Sequence, residues 1–150
     1  MTEAEEAAAH WGGLPLRLIG QRENAVYELS LANGARAALR LHRTAYQSEP
    51  AIAAELRWCA GLAAQGLPVP PPVPTPRGAL IARLSTGRLA SVTAWIAGEA
   101  LGATAAPLAG PVDRQVALHH ALGALLAAVH DATDAAPPDQ AGSLMSLQTA

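Results

Sequence analysis

The chain has 150 residues, of which 51% are hydrophobic, and a formal net charge of −2. This length supports one domain whose core buries roughly two-thirds of the unfolded surface, and the hydrophobic share excludes general disorder. The charge balance and an aromatic content of 3% give no support for a nucleic-acid-binding platform.

Thr2 and Glu5 have capping-box spacing, which predicts a short helix over residues 3–10. The first six residues are acidic and carry no apolar signal region, and no run of 18 apolar residues occurs anywhere. A cytoplasmic protein without a membrane partner is therefore expected. Residues 14–19 and 24–31 read as two strands joined by a tight polar connection. Asn33-Gly34 is a hairpin signal leading into a third strand, Ala37-Ala38-Leu39-Arg40-Leu41. Its alternation sets Leu39 and Leu41 on one side and Ala38 and Arg40 on the other.

Residues 48–65 follow as a helix that tolerates Pro50 in its first turn and stops near Gly66. Its apolar stripe runs through Ile52, Leu56, Cys59 and Leu62 or Ala63, and Glu55 falls inside it. A lone carboxylate on a packing face costs several kcal/mol, so it is normally paired or neutralised. Arg40, on the preceding strand, is the evident partner. All ten basic residues are arginine, so a phosphate-binding cation in this chain has to be a guanidinium. The pair admits two readings: a structural ion pair tying helix to sheet, or the clamp by which kinase-like folds hold a nucleotide. Cys59, the single cysteine, cannot form an internal disulfide and is expected to pack rather than react.

Six of the twelve prolines lie within residues 68–76, which must be extended backbone. A rigid connector from helix to strand is the expectation, with an SH3-type docking ligand as the alternative. Residues 79–84 and 89–96 read as two further strands around Thr86-Gly87, and Gly98 closes the sheet region. Residues 99–110 are small and irregular, as a linker would be. Pro111 opens an amphipathic helix to about Ala132, with Val112, Val116, Leu122, Leu125, Leu126 and Val129 inward. The tail beyond is polar and expected to be loose.

This order, with the segments Glu23-Asn24-Ala25-Val26-Tyr27, Leu39-Arg40-Leu41-His42-Arg43, Ala54-Glu55-Leu56-Arg57-Trp58 and Val69-Pro70-Pro71-Pro72-Val73, resembles one known family. It is similar to the amino-terminal lobe of the aminoglycoside phosphotransferase and choline/homoserine kinase-like family. Trp95-Ile96-Ala97-Gly98 resembles the family's hinge, and Leu122-Gly123 to Val129-His130 its first large-lobe helix; coverage is about residues 10–131. The resemblance implies an α+β, protein-kinase-like small lobe of about five antiparallel strands with one long inserted helix, plus the first helix of a truncated large lobe. It divides the chain into a nucleotide-binding lobe at 1–98, a linker and helix at 99–132 and a tail at 133–150. Val26 and Ala38 would sandwich adenine, Arg40 would hold phosphate oxygens, and Glu55 would fix Arg40. Backbone groups of Ala94 and Ile96 would meet the adenine edge, and Arg22, Glu23 and Asn24 would cover the phosphates. Arg22 reads equally well as a solvated surface charge.

Family members follow the large-lobe helix with a His-Gly-Asp segment, then an Asn and an Asp that hold magnesium. No His-Gly-Asp occurs in these 150 residues, and the last asparagine is Asn33. His130-Asp131 has no glycine between and sits at a helix end. His119 and His120 are adjacent and so lack metal-pair spacing, and Ser85, Ser91 and Ser143 lack a nucleophile elbow. No catalytic residue and no protein metal ligand are therefore assigned. Losing a general base costs about 10²–10⁴ in rate, so the chain as given is not expected to turn over. The expected function is that of a partial small-molecule kinase that binds ATP weakly, with Mg2+ bound only if the missing lobe is supplied. The alternative is a non-catalytic module binding nucleotide or a protein partner; least favoured is a proline-run docking ligand. Self-association through the helix of 111–132, left without its natural partners, is also expected.

Overall fold

Thr2 starts the first helix, α1 (Glu3–Ala9), through the reciprocal capping box that its spacing to Glu5 predicts. The Thr2 hydroxyl accepts from the Glu5 N–H at 3.2 Å, and the Glu5 carboxylate accepts from the Thr2 N–H at 2.7 Å. The computed structural model describes residues 1–98 and 110–135. All but Gly110 of the expected linker over 99–110, and most of the expected tail, lie outside the described residues.

After α1 come β1 (Leu14–Gln21), β2 (Ala25–Ser30) and β3 (Arg36–Leu41), then the long helix α2 (Glu49–Ala64). The strands β4 (Ile81–Arg83) and β5 (Leu89–Ala94) complete the sheet, and α3 (Val112–Asp134) follows. The five strands pair antiparallel in the order β1-β2-β3-β5-β4. This is the expected α+β, kinase-small-lobe-like arrangement.

Strand alternation divides the sheet into two faces. On one, Leu29 lies opposite Ala37, Tyr27 opposite Leu39, and Leu39 opposite Val92. Leu29, Leu39 and Val92 are fully buried there beneath Ala4, Ala7 and Ala8 of α1 and the indole of Trp11. Burying each such side chain contributes roughly 1.5–3 kcal/mol, so α1 is part of the core, not an appendage. Its acids fasten it to the β4–β5 turn. Glu6 accepts from the Ser85 N–H at 2.6 Å and hydroxyl at 2.9 Å, while Glu3 accepts from Thr86 at 2.8 Å and Arg88 at 2.9 Å. The Thr86 hydrogen bond, then that of Arg88, holds the Glu3 carboxyl below its ordinary range.

The opposite face carries Val26 opposite Arg40, Glu28 opposite Ala38, and Ser91 opposite Arg40. α2 covers part of it. Ser48 caps α2, Pro50 stands in the first turn, and Gly66 leaves the helix at φ +84°. Ile52, Ala54, Leu56 and Leu62 are buried, but Cys59 is only half-buried, and burial pushes its thiol up. A raised thiol is a poor nucleophile, in line with a packing role.

Both late strands are shorter than their apolar runs. β4 starts at Ile81, not 79, and β5 ends at Ala94, not 96. The proline segment explains the difference. The Val73 N–H donates to the Val92 carbonyl and the Ala94 N–H to the Pro71 carbonyl, both at 2.8 Å. These bonds occupy the edge of β5 that a longer β4 would need. Proline has no N–H, so the contact stays a single bridge, Pro72 to Thr93, instead of a ladder. Trp11 secures it by donating Nε1–H to the Val73 carbonyl at 2.8 Å. The run is thus built into the sheet as a connector.

α3 leaves part of its apolar stripe uncovered, as expected of a helix without its natural partners. Leu125 and Val129 are half-buried, whereas Val112, Val116, Leu122 and Leu126 are exposed, from 46% at Leu122 to 72% at Val112. The helix meets the rest of the fold near its end, where Ala132 is buried and Trp58 donates Nε1–H to the Thr133 hydroxyl at 3.0 Å. No helix among the described residues is long and apolar enough to cross a membrane.

Candidate functional site

Alternation brings Arg40 to the face that α2 partly covers, and helical periodicity turns Glu55 toward it. The Arg40 guanidinium donates to Glu55 Oε1 at 2.6 Å, with the two side chains 33% and 30% exposed. One third of each remains open to solvent, so the pair keeps free donors while its direction is set. Beside it lies an open cleft of about 470 Å³, lined by Ile19, Val26, Arg40 and the loop of residues 20–24. The loop is closed on itself by the Arg22 N–H donating to the Asn24 carbonyl at 3.1 Å. The Asn24 side chain in turn accepts from the Arg43 N–H at 3.0 Å.

Val26 and Arg40 therefore share one cleft, with Glu55 behind Arg40. Ala38 lies on the same face one pair further along, opposite Glu28 and Thr93. Ala94 and Ile96 stand apart from the cleft lining, at the far end of β5, where Ile96 is 54% exposed. The Ala94 N–H is already engaged by Pro71, which leaves its carbonyl as the group a ligand could use.

Three features escaped the sequence reading. Ile19 belongs to the cleft because β1 is irregular there; a register shift between Leu18 and Gly20 interrupts its alternation. Glu28, 7% exposed, accepts from Arg17 at 2.7 Å and from Arg36 at 2.8 Å. The Arg17 hydrogen bond, helped by Arg36 and opposed by desolvation, holds its carboxyl below the ordinary range. Arg36 also stacks over the Trp95 ring at 4.2 Å, joining β1, β2 and β3 to the segment after β5. The signal for this cluster was present, since Glu28 follows Val26 by two residues and Arg36 precedes Ala38 by two. The third feature is His42, 3% exposed beneath α2, whose Nε2 lies 2.9 Å from the Ser91 hydroxyl. Burial pushes its imidazole down to about 4, with Arg40 adding to the effect.

A profile of the phosphotransferase enzyme family matches residues 16–147. The chain belongs to that family. Two phosphotransferase-like kinases of known structure share its fold. An amicoumacin kinase solved in complex with AMP-PNP, Ca2+ and Ami is 24% identical, with a TM-score of 0.66 over 84% of this chain. A microcompartment-associated aminopropanol kinase is 26% identical, with a TM-score of 0.54 over 62% of this chain. The chain spans only 36% and 30% of those two proteins. Among curated proteins, no sequence matches. A sheet cation paired to a helix acid borders the cleft; among the described residues no group of three His, Cys, Asp or Glu could hold a metal ion.

Proposed function

We propose that this chain is the nucleotide-binding lobe of a small-molecule kinase, that it binds ATP in the cleft beside Arg40, and that it does not transfer phosphate alone. The carrying observation is the 2.6 Å Arg40–Glu55 pair set against an open cleft. Val26 and Ala38 offer the small apolar surface on which adenine lies. The Ala94 carbonyl and the Ile96 backbone meet the adenine edge. Arg40 engages the phosphates with its bidentate fork, and Glu55 spares it the entropy of finding that direction. The loop of Arg22, Glu23 and Asn24 covers the phosphates. Residues 1–98 form this lobe, and 99–132 lead toward a second one.

The experiment is calorimetry of the chain with ATP, with and without magnesium. Half a cleft should give an affinity in the millimolar range, about −4 kcal/mol, little changed by the metal. Tight, magnesium-dependent binding would mean that protein ligands for the metal exist and the reading is wrong; no binding at all would equally defeat it.

A second reading, a non-catalytic module that binds a protein partner, rests on the exposed apolar residues of α3. Contiguous exposed apolar surface favours association. Sedimentation should show concentration-dependent self-association that Leu122→Glu with Leu126→Glu abolishes. A monomer at all concentrations would remove α3 as the contact.

A further inference from the structure

At the end of the sheet away from Ala94, a second cleft of about 200 Å³ opens between the segment after β3, the first turn of α2 and the β4–β5 turn. Its lining residues include three arginines, Arg43, Arg83 and Arg88, but a single acid, Glu49. Glu49 is ion-paired to Arg83, and both are about half exposed or more, at 48% and 60%. Arg88 is held from behind by Glu3 and by the Leu41 and His42 carbonyls. Arg43 makes no ion pair among the described residues; its guanidinium lies 5.5 Å from the Tyr46 ring centroid. The cleft thus carries excess positive charge, and its volume falls below the 300–1,000 Å³ typical of organic ligands, so the occupant it suits is a small anion.

His42 supplies a second observation at this cleft. It lines the cleft and is 3% exposed, and its Nδ1 is the one buried side-chain polar atom among the described residues that lacks a partner. Ser91, 1% exposed, has no side-chain partner among the described residues except His42 Nε2, and its hydroxyl finds an acceptor there when the ring carries its proton on Nδ1. A neutral imidazole that accepts at Nε2 carries its proton on Nδ1. A buried N–H without an acceptor is costly, and an oxyanion drawn into the cleft is the group that would satisfy it.

We propose that this cleft is a second anion site, taking a phosphate-type dianion, free or carried on a small molecule, which displaces Glu49 from Arg83. The site is independent of the nucleotide cleft in its residues. It touches that cleft at two points, because Arg43 bonds Asn24 and Glu49 lies on the same helix as Glu55.

The test is titration of the full chain with inorganic phosphate at constant ionic strength, following the His42 imidazole by NMR. Saturable binding in the millimolar range is expected. Losing one charge-assisted hydrogen bond weakens such binding about 10- to 100-fold, the effect expected of Arg43→Gln and of Arg83→Gln. Glu49→Gln should tighten it by removing the competitor, an outcome a merely structural pair would not produce. Arg40→Ala should weaken it less than Arg43→Gln does, since Arg40 lies near His42 but does not line the cleft. Since Arg43 makes no ion pair among the described residues, Arg43→Gln keeps the test valid if Arg83→Gln unfolds. Glycerol phosphate binding more tightly than phosphate would assign the dianion to a small molecule; equal affinity would assign it to the free ion. The proposal is overturned by absence of saturable binding up to ~50 mM, or by binding that Arg40→Ala abolishes and Arg43→Gln spares.

Discussion

Between pH 6.5 and 4 the chain should lose up to about 3 kcal/mol of unfolding stability through one side chain, His42. The native environment favours the neutral ring, because protonation would place a charge beneath α2 near Arg40 and Arg88, offset only in part by Glu55. In the unfolded chain the ring titrates at its ordinary value near 6.5. The unfolded state therefore binds the extra proton first as pH falls. Stability is complete above 6.5, declines through the interval, and loses nothing more to this group below about 4. The lowered carboxyl groups of Glu3, Glu5 and Glu28 withdraw their own contribution only below about 4.5, so the range above that belongs to His42. Urea unfolding at a series of pH values should show the slope, and His42→Gln, which removes the titration and keeps a polar side chain, should flatten it. Parallel profiles for the two proteins would sink the idea.

Replacing Arg40 with alanine should weaken ATP binding about 10- to 100-fold while moving the melting temperature little. The first figure is the loss of a charge-assisted, bidentate contact to phosphate. The second follows from exposure. With both partners about one-third open to water, at 33% and 30%, the ion pair contributes at most about 1 kcal/mol to folding. This asymmetry separates the clamp from a structural ion pair, which would show the reverse. Arg40→Lys should fall between, because an ammonium holds the charge but not the planar fork. Glu55→Gln should cost less than Arg40→Ala, since the guanidinium remains and loses only its fixed direction. ATP titrations followed by NMR suit affinities in this range. A wild-type affinity retained in Arg40→Ala would leave the structural reading standing.

The elements set by short-range pattern match the sequence reading for a physical reason. Capping at Thr2 and Ser48, the hairpin at Gly34 with φ +80°, and the end of α2 at Gly66 are set by chemistry within four residues. Alternation in β3 placed Arg40 away from the core, and a carboxylate on the apolar stripe of α2 could hardly be buried alone. The Arg40–Glu55 pair, 15 residues apart in sequence, was therefore legible before any coordinates. The same period-2 argument reached Ala38, whereas Val26 came from the family resemblance; applied along β2 and two residues further along β3 it would have reached Glu28 and Arg36. Family membership, too, was readable from the order of short segments.

Other features were decided by contacts between distant parts of the chain, on which local periodicity is silent. Trp11 and Val73 meet across 62 positions, and His42 and Ser91 across 49. Nothing near residues 68–76 says that an extended proline run will take the edge of β5, shorten β4 and occupy the Ala94 N–H. Nor does the stripe of α3 reveal that Val112, Val116, Leu122 and Leu126 face solvent, because a stripe encodes the need for a partner and not its presence. The sequence by itself determined the strands, the helices and the side of each that is apolar. Tertiary packing alone decided what covers each side, and with it the depressed titration of His42, the Glu28 clamp and the arginine-lined cleft at the sheet's end.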